Sequence, residues 1–193
     1  VQPSVDIVTE WVNSGVERVC VGTWHKDVAH AIYDSLKHNK DIIAAGHEIL
    51  YVDGETHSSF NRETEIEKFT EKNALAILVC TQASTKEGMN ALVAYDHVVP
   101  AEIYWRPDVL IQWCARFHRT NSTSSSVTIR APYCRGTKDE PIVAIVAEKM
   151  EELSGVLGND LSGDGFLQAV DKMRQQSTEE LYDAFSQGGN SYE

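Results

Sequence analysis

The sequence lacks the features of a membrane or secreted protein. None of its apolar runs approaches the roughly 18 residues that a membrane-spanning helix needs. Residues 1–6 contain no basic patch followed by an apolar core, so we expect no signal peptide. The chain also lacks an initiator Met. We therefore expect a piece of a longer protein, either cytoplasmic (in a prokaryote or phage) or nuclear, and not secreted.

Several catalytic and metal-binding patterns are absent as well. There is no Gly-x-x-x-x-Gly-Lys-Ser/Thr phosphate loop and no Asp-Glu pair placed after a strand to hold magnesium, so the chain is not a complete ATPase. The seven histidines form no His-Glu-x-x-His cluster, and no Gly-x-Ser-x-Gly anchors a serine hydrolase. We expect no metal site in this chain.

Cysteine is scarce, and its spacing excludes a zinc knuckle or a redox pair. The four cysteines are Cys20, Cys80, Cys114 and Cys134. Two of them lie in apolar, strand-like runs, so we expect reduced, buried thiols in an intracellular protein.

Positive charge is also limited, but it is concentrated. The net charge is −12, whereas residues 101–138 alone carry six Lys/Arg and two Asp/Glu. This distribution disfavours a protein that binds nucleic acid over its whole surface. It favours a local anion site within residues 101–138.

What is present is the composition and periodicity of a globular α/β domain, with 42% hydrophobic and 24% charged residues. Strand patterns at residues 17–22, 48–52 and 75–80 alternate with helical patterns around residues 28–36 and 58–72. The run at 75–80 is apolar on both faces, which is typical of a parallel strand covered on both sides. In such sheets ligands bind at the carboxyl ends of the strands, so the loops at 23–26, 53–57 and 81–90 are candidates.

The rest of the chain predicts strands at 96–99, 102–104 and 127–131, a helix at 108–119 and another over about 139–157. Residues 1–158 are expected to form the main domain. Residues 159–193 are expected to form a short helical tail or brace, partly flexible, with frayed final residues.

Two segments could bind phosphate. On the predicted helix at 108–119, Gln112, Arg116 and Arg119 share one face, and guanidinium groups bind phosphate through paired hydrogen bonds. A solvated face or internal ion pairs would explain the same pattern. Residues 81–90 offer hydroxyls and a glycine, Gly88, that let a phosphate approach the backbone. An ordinary strand-to-helix loop is the alternative.

Taken in order, these segments resemble the C-terminal RecA-like lobe of superfamily 2 helicases and translocases. The resemblance is greatest to the SWI/SNF type, within it to the annealing-helicase branch of HARP-like proteins. The matching segments are residues 18–26 (motif IV), Asp53-Gly54-Glu55-Thr56 with Arg62 and Phe69, residues 81–90 (motif V), Trp105-Arg106-Pro107 with Gln112, Arg116 and Arg119 (motif VI), and Gly136-Thr137-x-Asp139-Glu140 with Lys149.

This resemblance implies a three-layer RecA-like domain whose mainly parallel central sheet is flanked by helices. It implies the second lobe of an ATP-dependent DNA helicase or translocase, inactive without an N-terminal lobe that binds most of the ATP and Mg2+. Three sets of site residues follow from it: catalytic Arg119, Arg116 and Gln112; nucleotide-binding Gly88, Asn90 and Glu87; and DNA-binding Thr23, Trp24, Lys26, Gly54 and Thr81. The implied partners are the DNA backbone and that lobe, with no membrane.

Two alternatives remain open. Motif VI of the family usually continues as Arg-x-Gly-Gln, whereas here Arg119 is followed by Thr120-Asn121-Ser122. A helicase-like module used only for protein or DNA docking would explain that change. An unrelated α/β nucleotide-binding enzyme is the other alternative.

Overall fold

The computed structural model describes residues 1–55, 59–85, 89–103, 107–117, 124, 126–134, 136–137, 139 and 141–142. The chain divides into two compact units, one of Val1–Glu102 with Arg116–Pro132 and one of Ile103–Ala115 with Tyr133–Glu193. The helices are α1 Gln2–Asn13, α2 Lys26–Lys37, α3 Lys40–Ala45, α4 Ser59–Lys72, α5 Gln82–Thr85 and α6 Pro107–Cys114, with a 3-10 helix at Ala91–Ala94. The strands are β1 Arg18–Thr23, β2 Glu48–Val52, β3 Ala76–Thr81, β4 His97–Pro100 and β5 Thr128–Ile129.

A parallel sheet organises the first unit. Over the described part of the chain its order is β2-β3-β1-β4-β5, and every neighbouring pair is parallel. Every residue of β3 is buried, as its continuous apolarity predicted, because helices cover both faces of the sheet.

The two faces of the sheet pack against different helices. Alternate residues of β1, β3 and β4 point to one side, where they join the apolar faces of α1, α2 and α3 in a single core cluster. Its members are Val5, Val8, Trp11, Val12, Ala29, Ile32, Leu36 and Ile42 from the helices, and Val19, Val21, Ile77, Val79 and Val99 from the strands. On the opposite side α4 packs against β2, β3 and the 3-10 helix. This three-layer α/β arrangement confirms the predicted fold class.

Helices α1, α3 and α5 and the 3-10 helix were absent from the sequence prediction. Helix α1 has Pro3 in its first turn, where a missing amide hydrogen costs nothing. Helix α3 is only six residues long. The side chain of Asn39 caps its amino-terminal end, and Gly46, with a φ of 77°, caps its carboxyl-terminal end. Short helices like these are stabilised chiefly by the core they cover.

The predicted strand at residues 102–104 was wrong for the residues that the structure describes. The sheet strand ends at Pro100, and Glu102 and Ile103 adopt no strand pairing. The amide of Ala101 still donates to the carbonyl oxygen of Gly22, and the pairing with β1 stops there. Beyond it the side chain of Glu102 turns towards the backbone after β1.

The predicted helix at 108–119 is shorter than expected. It ends at Cys114, and Ala115, Arg116 and Phe117 form a turn, so Arg116 is not on the helix that carries Gln112. Phe117 is fully buried, and we attribute the early end of the helix to that tertiary burial overriding a local pattern. Residues 118 and 119 lie outside the described part.

The structure describes only the first residues of the C-terminal segments predicted from the sequence. Asp139, Pro141 and Ile142 are helical, in agreement with a helix start there. Residues 143–158 of that helix and the whole of the predicted tail, 159–193, lie outside the described residues. Among the helices that the structure does describe, none combines the length and apolarity needed to cross a bilayer.

Candidate functional site

The carboxyl ends of β1, β2 and β3 meet at one edge of the sheet. In the register of the sheet, Thr23 at the end of β1 pairs with Thr81 at the end of β3, and Val52 of β2 pairs with Cys80. The loops after these strands therefore start side by side, as expected for the candidate loops at 23–26, 53–57 and 81–90. We call this set of loop starts the carboxyl edge.

The loop from β1 to α2 is held by internal hydrogen bonds. Thr23 is fully buried, and its hydroxyl donates to the carbonyl oxygen of His25 over 3.1 Å. The backbone amides of Trp24 and His25 both donate to Oε2 of Glu102 over 2.8 Å. Lys26 begins α2, and its ammonium group forms an ion pair with Glu55.

The loop after β2 is organised by a buried carboxylate. Asp53 is 6% exposed and accepts hydrogen bonds from the Tyr51 hydroxyl over 3.0 Å and from the Glu55 amide over 2.8 Å. Burial and the hydrogen bond to Asp53 raise the pKa of Tyr51 above its usual range. Gly54 is exposed, and its carbonyl oxygen accepts from Arg62 over 3.4 Å. The Asp-Gly pair thus presents the Gly54 backbone to solvent on a fixed turn.

The segment after β3 is anchored to its neighbours by Gln82. This side chain is fully buried, and its Nε2 donates to the carbonyl oxygens of Glu102 over 3.2 Å and Gly22 over 3.4 Å. The carbonyl oxygen of Thr81 accepts from the hydroxyl of Ser84 over 2.8 Å. Gln82 therefore links the end of β1, the segment after β4 and the start of α5.

Neither Gln82 nor Glu102 was identified from the sequence. Gln82 lay inside a candidate segment, directly after Thr81, and a polar residue that follows a fully apolar strand is the signal that could have found it. Glu102 had no local signal, because its partners Trp24 and His25 are 78 and 77 residues away in the chain.

The structure describes only some of the predicted nucleotide-binding and catalytic residues. Asn90 is exposed, and its amide donates to the Glu63 carboxylate on α4 over 2.8 Å. Glu87 and Gly88 lie outside the described residues. Gln112 is half-buried on α6 in the second unit, whereas Arg116 is half-buried in the first unit. Arg119 lies outside the described residues, so its predicted role stays a prediction.

Among the residues that the structure describes, no group of three or more His, Cys, Asp or Glu side chains is arranged to hold a metal ion.

Comparison with known families agrees with this arrangement. Residues 4–121 match the model of the helicase conserved C-terminal domain. The chain is 34% identical over 151 residues to the SWI/SNF-related matrix-associated actin-dependent regulator of chromatin subfamily A-like protein 1 of Xenopus tropicalis, a match that covers 77% of this chain and 15% of that protein. The Bos taurus protein of the same name is 29% identical over 195 residues, covering 98% and 20%.

A more distant relative is the chromatin-remodeling ATPase INO80 of Arabidopsis thaliana, which is 24% identical over 169 residues, covering 87% of this chain and 11% of that protein. The chain therefore spans a fifth or less of the length of these curated relatives.

Two solved structures share the fold. The C-terminal part of the Fun30 ATPase domain aligns with a TM-score of 0.57 at 20% identity, covering 73% of this chain and 44% of that one. The C-terminal domain of the DEAD-box protein Dbp5 aligns with a TM-score of 0.52 at 16% identity, covering 91% and 92%. The match over residues 4–121 and these relatives confirm the resemblance seen in the sequence: the chain belongs to the helicase conserved C-terminal domain family, as the RecA-like C-terminal lobe of a SWI/SNF-type superfamily 2 helicase.

Proposed function

We propose that the chain is the second motor lobe of an ATP-dependent DNA helicase or translocase. The observation that carries the proposal is the carboxyl edge, where the segments resembling motifs IV and V and the Asp-Gly turn start side by side. Family membership and the printed names of the relatives, a regulator of chromatin and a chromatin-remodeling ATPase, support DNA as the partner. The same names support a nuclear location.

The DNA contacts in this proposal are to the phosphate backbone. Lys26 supplies an ammonium group, and the loops at Trp24 and Gly54 supply backbone groups at the solvent-facing edge. Thr23 and Thr81 are buried, so we assign them to anchoring these loops rather than to direct side-chain contact. Backbone contacts of this kind position DNA without reading its sequence.

The ATP contacts in this proposal come from the segment resembling motif VI. Arg119, together with Arg116 three residues earlier, would stabilise the charge that develops on the transferred phosphate, and Gln112 is proposed as a further residue of the same motif. Glu87, Gly88 and Asn90 would border the nucleotide. Most of the ATP and the Mg2+ are assigned to an N-terminal RecA-like lobe.

The proposed cycle couples ATP to closure of two lobes. ATP bound on the N-terminal lobe draws this lobe in and completes the hydrolytic site, and hydrolysis releases it. Because this lobe also holds the DNA backbone, alternating closure would move the protein along the duplex.

The test is DNA-stimulated ATP hydrolysis, measured for the chain alone and after an N-terminal RecA-like lobe is joined to it. We expect no turnover by the chain alone and DNA-dependent turnover by the two-lobe protein. In that protein Arg119→Ala should abolish hydrolysis while DNA binding is largely retained. Arg130→Ala is the matched control, because the guanidinium of Arg130 pairs with Glu10 and stacks on Trp11, away from the carboxyl edge.

Retained hydrolysis in the Arg119→Ala protein would refute the arginine-finger assignment. A folded two-lobe protein that binds DNA but shows no turnover would favour a docking module without catalysis, the alternative raised by the residues after Arg119.

A further inference from the structure

The side chain of Glu102 occupies the loop that leads from β1 into α2. Its Oε2 accepts hydrogen bonds from the amides of Trp24 and His25, each over 2.8 Å, and its Oε1 lies 2.7 Å from Nδ1 of His25. One carboxylate that is only 23% exposed therefore makes three polar contacts with two consecutive residues. Hydrogen bonds to an ionised acceptor are stronger than those between neutral groups.

These contacts use the groups that the proposed function offers to DNA. The amides of Trp24 and His25 immediately precede α2, whose amino-terminal end favours an anion. A phosphate oxygen and a carboxylate oxygen are the same kind of acceptor for an amide hydrogen. In addition, the ammonium group of Lys26 is paired with Glu55. The amides of Trp24 and His25 and the ammonium group of Lys26 are thus all bound by acidic side chains of the same chain.

The backbone of Glu102 is fixed independently of its carboxylate. Nε2 of the buried Gln82 donates to the carbonyl oxygen of Glu102, and the amide of Ala101 donates to that of Gly22 over 2.8 Å. The main chain at this position is therefore tied to the end of β1. Releasing the two amides requires only rotation of the Glu102 side chain, not movement of the segment that carries it.

We propose that Glu102 is an internal competitor for the DNA phosphate at this loop, and that it must leave the Trp24 and His25 amides before a phosphate binds there. The inference rests on the proposed function, because it concerns the same DNA-backbone contacts. Its consequence is that Glu102 weakens DNA binding and sets the affinity at which the lobe engages and releases the backbone.

The experiment measures binding of the full chain to a fluorescently labelled DNA duplex by anisotropy over a series of NaCl concentrations. The variants are Glu102→Gln, which keeps the size of the side chain, and Glu102→Ala. The matched control is Glu10→Gln, which makes the same change in net charge at an exposed residue of α1 paired with Arg130. Circular dichroism and the urea midpoint confirm that each variant is folded.

We expect both Glu102 variants to bind DNA roughly tenfold more tightly than the wild-type chain, since the competing charged hydrogen bonds are lost. The slope of log Kd against log salt concentration should stay close to that of the wild type, because no cation is added, and Glu10→Gln should change neither quantity appreciably. If Glu102 merely shapes the loop, its removal would weaken binding in both variants, and that result would overturn the inference.

Lys26→Ala separates this inference from the proposed function. Weaker binding by Lys26→Ala without tighter binding by Glu102→Gln would overturn the competition alone. DNA binding unaffected by all of these substitutions, or no DNA binding by any protein including the wild type, would overturn the proposed DNA contact at this loop and the competition with it.

Discussion

A pair of buried hydroxyl groups provides a quantitative test of how α4 is attached to the segment between the 3-10 helix and β4. Oγ1 of Thr70 and the hydroxyl oxygen of Tyr95 lie 3.0 Å apart. Thr70 donates its own proton to the carbonyl oxygen of Ile66 over 2.7 Å, so Tyr95 is the donor to Thr70. Tyr95 is fully buried and Thr70 is 7% exposed. Burial also raises the pKa of Tyr95 above its usual range, which keeps the hydroxyl protonated.

The two substitutions should lower the free energy of unfolding by different amounts, because only one of them leaves a buried polar group without a partner. Tyr95→Phe removes one donor and leaves the Thr70 proton bonded, so we expect a loss of about 1 kcal/mol in the free energy of unfolding. Thr70→Val keeps the volume but leaves the Tyr95 hydroxyl buried without an acceptor, which costs about 1–3 kcal/mol. Adding Tyr95→Phe to Thr70→Val removes that unsatisfied donor. The second substitution should therefore stabilise the Thr70→Val protein although it destabilises the wild type.

The assay is urea unfolding followed by tryptophan fluorescence at constant pH, for the wild type, both single variants and the double variant. Tyr133→Phe serves as the matched control, because Tyr133 is 43% exposed and should contribute almost nothing. Equal destabilisation by Tyr95→Phe in both backgrounds would refute the reasoning, since the cycle would then show no coupling between the two hydroxyls.

Three further predictions use urea unfolding or thiol labelling. Asn39→Ala should lower the free energy of unfolding by about 0.5–2 kcal/mol, because the Asn39 side chain accepts hydrogen bonds from two backbone amides at the start of α3. Asn39→Asp should retain most of that stability, and equal losses in the two variants would contradict a capping role for this side chain. In the native chain a thiol reagent should rapidly modify only Cys134, which is exposed, whereas the other three cysteines should react only after unfolding. A thiol that still reacts rapidly in the folded Cys134→Ser variant would contradict this prediction. Burial raises the pKa of Cys114 from 9.0 to about 12, so its contribution to stability is complete below pH 9 and is lost as the pH rises towards 12. Cys114→Ala should reduce that alkaline decline, and an unchanged slope of unfolding free energy against pH would be the contrary result.

Much of the fold was predictable because its elements have strong local patterns. The continuous apolarity of residues 75–80 indicated a parallel strand covered on both faces, and β3 is that strand, lying between β2 and β1 in the described order. The spacing of apolar residues around 28–36 likewise indicated α2. The strand predicted at 102–104 is absent at Glu102, whose side chain instead accepts hydrogen bonds from the amides after β1, and these partners are far away in the chain.

The candidate site was predictable in position and less so in detail. Knowing that strands are parallel is enough to expect the loops after Thr23, Asp53 and Thr81 at one edge, and the register confirms it. Which groups at that edge face solvent could not be deduced, because burial depends on packing between distant segments. Thr23 and Thr81, which the sequence assigned to DNA, are both buried.

The sequence alone determined the fold class, the family and the loops in which to look for function, because periodicity and ordered motifs are encoded by residues that are near neighbours in the chain. Only the tertiary structure decided that Gln82 ties three segments together and that Glu102 holds the amides of Trp24 and His25. The sequence around a carboxylate does not show which distant group that carboxylate will bind. Its partner is chosen by the sheet register, which brings residues 77 and 78 positions apart within hydrogen-bond distance.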